Sequence, residues 1–160
     1  SKTTRYFDEI NEGTPYPAKY DRRHDISITG THKLTDSWDL STVFVYATGN
    51  SITLPSERYI IDGNIYTEFT SRNGYRMIPY HRLDIGATYT PNKKKNKKFK
   101  SSWNFSIYNV YSRKNPYFIY FALEAPDNED GSIQDGNLTP KAYQVSIFPI
   151  LPSITWNFNF

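Results

Sequence analysis

Tyr80-His81-Arg82-Leu83-Asp84-Ile85-Gly86-Ala87-Thr88-Tyr89 decides the class of fold. Leu83, Ile85, Ala87 and Tyr89 alternate with Asp84, Gly86, Thr88 and Thr90, the period of two of a β-strand with one apolar and one polar face. Four other stretches repeat the pattern. Over residues 22–34, Ile26, Ile28, Gly30 and His32 alternate with Asp25, Ser27, Thr29 and Thr31, and Thr35, Asp36 and Ser37 make a tight turn. Over residues 38–48, Trp38, Leu40, Phe44 and Tyr46 oppose Asp39, Ser41, Val43 and Ala47, so these two stretches are expected to form a hairpin. A fourth strand is expected from Ser101, with Trp103, Phe105 and Ile107 opposite Ser102, Asn104 and Ser106. It is expected to run on through Tyr111 towards residues 117–121, with Pro116 limiting its regularity. The last strand is expected over residues 143–160, where Ile154, Trp156, Phe158 and Phe160 alternate with Ser153, Thr155, Asn157 and Asn159.

Helical periodicity is almost absent, so the chain reads as all-β and antiparallel. Its 160 residues suit one domain, and 10 Phe, 3 Trp and 14 Tyr favour sheet. No run of about 18 uncharged apolar residues exists, which excludes a transmembrane helix. A membrane strand is not excluded, because a strand facing lipid on one side needs only about 10 residues of alternating polarity. The absence of cysteine excludes disulfides, thiolate zinc sites and a cysteine nucleophile. The net charge of +3 is local: six lysines lie between Lys93 and Lys100, and the rest of the chain is mildly acidic. Ser1 opens the chain without Met or an apolar signal segment, which suggests a processed product or a piece of a longer protein.

Connections between these strands alternate in length. Residues 49–79, interrupted by Pro55, Gly63 and Gly74, make a connection of about 30 residues, long enough to be functional. The lysine-rich stretch 91–100 is a short turn, and residues 125–140 are a polar, acidic loop. Because successive antiparallel strands reverse direction, every long connection falls at one end of the sheet and both short turns at the other. Outer-membrane barrels have that asymmetry, with short periplasmic turns and long extracellular loops. The polar face is Ser, Thr, Asn and Gly with a few Asp, which suits a watery lumen, and Trp38, Trp103 and Trp156 lie near the short-turn or terminal end, as an interfacial girdle would. The competing expectation is a soluble or surface-attached β-sandwich that binds carbohydrate through exposed tyrosines.

The stretch 80–89, the segment Ser102-Trp103-Asn104-Phe105-Ser106-Ile107-Tyr108-Asn109-Val110-Tyr111, Lys114-Asn115-Pro116 and the ending Pro152-Ser153-Ile154-Thr155-Trp156-Asn157-Phe158-Asn159-Phe160 resemble the C-terminal barrel strands of TonB-dependent outer-membrane receptors of the Bacteroidetes type. Arg22-Arg23-His24-Asp25 and Ala47-Thr48-Gly49-Asn50 fit the same pattern, and the resemblance is closest to the group with a carboxypeptidase-regulatory-like domain. It implies an antiparallel transmembrane β-barrel segment, about five strands of a 22-stranded plugged barrel, in a transporter that captures and imports a nutrient without transforming it. Nothing in residues 1–160 matches a TonB box, plug or the remaining strands. The implied partners are therefore the rest of the barrel and its plug, from this protein or another chain, together with the TonB complex, the barrel-assembly machinery and outer-membrane lipid. There is room for a surface lipoprotein, and no nucleic acid is implied. The implied location is the outer membrane, with a periplasmic C-terminus and extracellular long loops. Five strands leave two open edges, so the segment is not expected to fold alone.

The resemblance assigns Trp156, Phe158 and Phe160 a role as an assembly signal, on a strand that would face lipid in any case. Tyr59, Tyr66, Phe69, Arg72, Tyr75 and Arg76 are the ligand-facing candidates, chosen because they are amphipathic aromatics and arginines on a long loop. Lys93 to Lys100 lack interleaved stacking aromatics, so the cluster reads as a solvated turn near anionic headgroups rather than a nucleic-acid patch. Asp127, Glu129, Asp130 and Asp135 fail the calcium-loop spacing, since the glycine position holds Ser132, and read as a solvated loop. His24 with Asp25, and His81 with Asp84, lack a nucleophile setting. No catalytic residue, cofactor or metal site is expected, and the chain does not read as an enzyme.

Overall fold

A computed structural model describes residues 1–62, 64–91, 100–124 and 139–159, and of residues 57–61, 64–65, 123–124 and 139–140 the backbone alone. The chain is all-β. In order, the strands are β1 (Thr4–Arg5), β2 (Tyr16–Pro17), β3 (Asp25–Lys33), β4 (Trp38–Ala47), β5 (Ser51–Ile52), β6 (Pro55–Ile61) and β7 (Asn64–Phe69). Then come β8 (Tyr75–Arg76), β9 (Tyr80–Tyr89), β10 (Lys100–Tyr108), β11 (Pro116–Glu124), β12 (Thr139–Ser146) and β13 (Leu151–Asn159). They fall into two compact units, one of Ser1–Arg23, Gly49–Ile78 and Pro116–Ser146, the other of His24–Thr48, Pro79–Asn115 and Ile147–Phe160.

The second unit is one antiparallel sheet of five strands in the order β3-β4-β9-β10-β13. Every strand pairs with the next member of the set along the chain, the arrangement that the alternating segments and the four-residue turn at 34–37 dictate. Thr35 Oγ1 accepts from the Ser37 and Trp38 amides and holds that turn closed. Register makes the two faces explicit. Ile26 stands opposite Tyr46, which stands opposite His81; Ile28 lies in line with Phe44 and Leu83; Ile85 is paired with both Thr42 and Ile107. Ile26, Ile28, Leu40, Phe44, Leu83, Ile85, Tyr89, Phe105, Ile107, Ile154, Trp156 and Phe158 therefore share one face. That face carries no Asp, Glu, Lys or Arg, whereas Asp25, Lys33, Asp39, Arg82, Asp84 and Lys100 all belong to the other. β3 and β13 each have a single neighbour, and no closed barrel forms among the described residues.

Two expectations about strand limits are corrected. The fourth strand does not continue to residue 121: it ends at Tyr108, because Asn109 (φ 54°) and Ser112 (φ 52°) adopt left-handed backbone and turn the chain. Residues 116–124 instead form β11, paired with β12 in the first unit. The last strand is likewise two. β12 stops at Ser146, Phe148 turns at φ 53°, Pro149 has no amide to give to a ladder, and β13 starts afresh at Leu151 in a different sheet. Residues 49–79, expected as a bare connection, carry β5 to β8, with β5 on β8 and β6 on β7.

The first unit has a small core. Tyr16, Ala18 and Met77 are its buried apolar residues among those described, and Asp21 and Ser51 are buried polar ones. In the second unit Ala47 is the buried apolar residue, beside buried Asn109 and Asn115. No described side chain on the apolar face of the five-stranded sheet is buried, and Ile154 and Ile28 reach 68% and 59% exposure.

Candidate functional site

Three groups of side chains among the described residues stand out from the backbone ladders. The first is an aromatic row across the apolar face. Trp38 opens β4 just after the tight turn, Tyr89 closes β9, and the register runs Trp38 to Tyr89 to Trp103 to Trp156 across four strands. Trp38 and Tyr89 rings lie 4.9 Å apart, Trp103 stacks on Trp156 at 5.7 Å, and Trp156 contacts Phe158 at 4.8 Å. Of the residues expected to signal assembly, Trp156 and Phe158 are in this cluster, and Phe160 lies outside the described residues.

The second feature ties the strand ends opposite the tight turn. The Arg82 guanidinium donates to Asp84 Oδ2 at 2.9 Å, to the Tyr80 hydroxyl at 2.9 Å and to the Tyr108 hydroxyl at 2.6 Å, and it lies 4.0 Å from the Tyr108 ring centroid. Asp84 Oδ1 accepts from the Asn109 amide, so one carboxylate joins β9 to the turn after β10. The Asn109 amide nitrogen Nδ2 then donates to the carbonyls of Arg113, Phe148 and Pro149, and its Oδ1 accepts from the Arg113 amide. Asn115 imitates a strand: Oδ1 accepts from the His81 amide at 3.1 Å and Nδ2 donates to the His81 carbonyl at 2.9 Å. Bonds in this network join one strand end or turn to another. His81 Nδ1 meets the Tyr111 hydroxyl at 2.9 Å while Asp84 points to the opposite face, so the two form no acid–base pair; His24 precedes β3, whose first residue is Asp25.

The third feature is in the first unit. Asp21 is buried and its carboxylate accepts from the Thr3 amide at 2.6 Å and from Arg76 Nη2 at 2.5 Å, with Arg23 at 3.9 Å. The Thr3 amide, then the Arg76 hydrogen bond, hold the Asp21 carboxyl below the usual carboxylate range, against the opposing effect of burial. Arg76 also donates to the carbonyls of Asp21 and Gly49. It thus ties Asp21 to the Gly49 backbone, with its side chain 27% exposed. Of the other loop candidates, Tyr66, Phe69 and Tyr75 are exposed, Tyr59 pairs with Tyr66 in the backbone ladder with its side chain outside the described set, and Arg72 lines a cavity with Arg5, Lys19, Tyr16, Tyr20 and Asn73. Arg5, Tyr16, Lys19 and Tyr20 escape a sequence reading because they lie more than 50 residues from Arg72 and follow no periodicity.

Lys93 to Lys98 and Asp127, Glu129, Asp130 and Asp135 lie outside the described residues; Lys100 is exposed at the start of β10. Among the described residues no group of His, Asp and Glu is placed to hold a metal ion, and no helix is long and apolar enough to cross a membrane. What the described residues define together is an all-β protein whose five-stranded antiparallel sheet has one apolar and one polar face. Comparison with protein-family models, with curated proteins and with solved structures finds no match to the chain.

Proposed function

We propose that the chain is the C-terminal barrel segment of a TonB-dependent outer-membrane transporter that captures and imports a nutrient ligand. The observation that carries the reading is the uncovered apolar face, uninterrupted by charge through five strands in register, bounded by two open edges. In water such a face would need a covering layer, as in a sandwich; in a barrel wall lipid covers it.

The height of the face fits a bilayer. From the Trp38–Tyr89–Trp103–Trp156 row to the Tyr46–His81 row is eight residues along β4. That is about 26 Å along the strand and about 20 Å along the normal at a tilt of about 40°, close to the roughly 25 Å apolar band of outer-membrane barrels. The two rows are then the interfacial girdles. The Ser, Thr and Asn face looks into the lumen, and the edges at β3 and β13 are completed by the other strands of the wall, since each unsatisfied backbone group in lipid costs several kcal/mol. Import energised through TonB rests on the sequence resemblance.

Sidedness tests the reading. Protease added to intact cells is expected to cut within residues 49–79 and to spare the lysine-rich turn at 91–100. Cleavage in that turn while cells remain sealed overturns it, as does recovery of the chain as a folded monomer in buffer without detergent.

A further inference from the structure

We infer that the first unit carries a binding site for an anionic small molecule, bearing carboxylate or phosphate groups, in the cavity between Arg5, Lys19 and Arg72. The cavity, about 460 Å³, is within the range of small-molecule sites. Three cations from separate stretches of chain line it, and among the described residues no carboxylate does. Among the described residues none of the three side chains makes an ion pair, and Lys19 Nζ lies 5.7 Å from the centroid of the Tyr20 ring. Asp21, two residues from Lys19, pairs its carboxylate with Arg76 and Arg23 and accepts from the Thr3 amide, and makes no ion pair with any of the three.

Three like charges around one concavity repel each other, and an anion relieves that repulsion. The backbone that presents Arg72 is fixed in advance. The Arg72 amide donates to Asn11 Oδ1 at 2.7 Å, the Asn73 amide to Thr53 Oγ1 at 3.0 Å, and Asn73 Nδ2 to the Pro17 carbonyl at 2.9 Å. Buried Tyr16 makes a firm wall, and Tyr20, 71% exposed and with the Lys19 ammonium over its ring, lines the cavity as well. Arginine forks suit carboxylate and phosphate oxygens, and a tyrosine face suits the flat side of a sugar ring. The inference deepens the transporter reading by naming the class of cargo, and it rests on that reading for the step from binding to import.

The test is equilibrium binding of trigalacturonate, inorganic pyrophosphate and neutral maltotriose to the chain purified in detergent together with the rest of its barrel. Either anion is expected to bind better than maltotriose, and binding is expected to weaken as salt rises. Preference for trigalacturonate identifies an acidic sugar as the cargo chemistry, preference for pyrophosphate a phosphorylated one. Arg5→Gln and Arg72→Gln are each expected to weaken the preferred anion roughly tenfold, the loss of one charge-assisted contact. Arg72→Lys should recover part of the loss, and Lys33→Gln, whose ammonium pairs with Asp36 outside the cavity, should leave binding unchanged. Thermal unfolding of each variant verifies that it is folded. Equal affinity for maltotriose, no binding of either anion to folded protein, or wild-type affinity in both glutamine variants overturns the inference. Membrane insertion is scored separately on the same preparations. Protein that inserts into vesicles yet binds no anion overturns the cargo class alone, and protein that binds anions without inserting overturns the transporter reading alone.

Discussion

The two units of this chain are held together by different means. In the five-stranded sheet, order comes from repetition: nine- and ten-residue strands share long ladders, and side chains sort onto faces by parity. The other unit has ladders of its own in β6–β7 and β11–β12, but its strands β1, β2, β5 and β8 are two residues each, and around them specific side chains make the ties: Arg76 on Asp21, Asn73 on Pro17, Asn11 on the Arg72 amide. A repetitive sheet tolerates change at any one position so long as the face is right. Where single groups make the ties, around those short strands and at the Asn109 turn of the sheet, the identity of each group matters.

The largest expected effect breaks the face rather than a contact. Ile85→Arg puts a charge at the middle of the apolar face, and in a membrane-embedded sheet it should cost about 2–4 kcal/mol. Ser106→Arg, next to it on the polar face, should stay within about 0.5 kcal/mol, like an ordinary surface change. Urea unfolding in lipid vesicles measures both. Equal costs would mean that the two faces see the same medium.

The same glycine substitution should separate the units. A Cβ on Gly49 would lie 1.9 Å from the Met77 carbonyl oxygen, a backbone atom that cannot give way, so Gly49→Ala should cost about 1–3 kcal/mol as overpacking does. In β3 a Cβ on Gly30 meets only Thr42 Cγ2 at 3.2 Å, an exposed side chain, and Gly30→Ala should change stability by under about 0.5 kcal/mol. A smaller loss follows from Asn109→Ala, where three carbonyls lose their donor and a left-handed residue loses the side chain that favours it; about 1–2 kcal/mol is expected by denaturant titration.

The smallest effect is one of pH. Because the folded Asp21 carboxyl titrates below its unfolded value, its contribution is complete above the ordinary carboxylate pKa and is lost as pH falls through the lowered one. Acid should therefore loosen the unit containing Asp21, and Asp21→Asn should remove that part of the acid sensitivity. Hydrogen exchange at Thr3 and Arg76 between neutral and acid pH reads it directly.

Sequence alone determined the five strands of the sheet, their order and the membership of each face, because parity along a strand is a local property that pairing with neighbours can only preserve. Trp38, Trp103 and Trp156 could be placed near one level for the same reason. What only the tertiary structure decided depends on groups distant along the chain. The fourth and last strands end where Asn109 reaches Phe148 and Pro149, some 40 residues away, and residues 116–124 leave the sheet to pair with β12. Arg72 and Arg76, alike in sequence as loop arginines, part company because Asp21 lies within reach of one while Arg5 and Lys19 share a cavity with the other. No periodicity encodes such meetings, since each is fixed by where loop closure brings two unrelated segments.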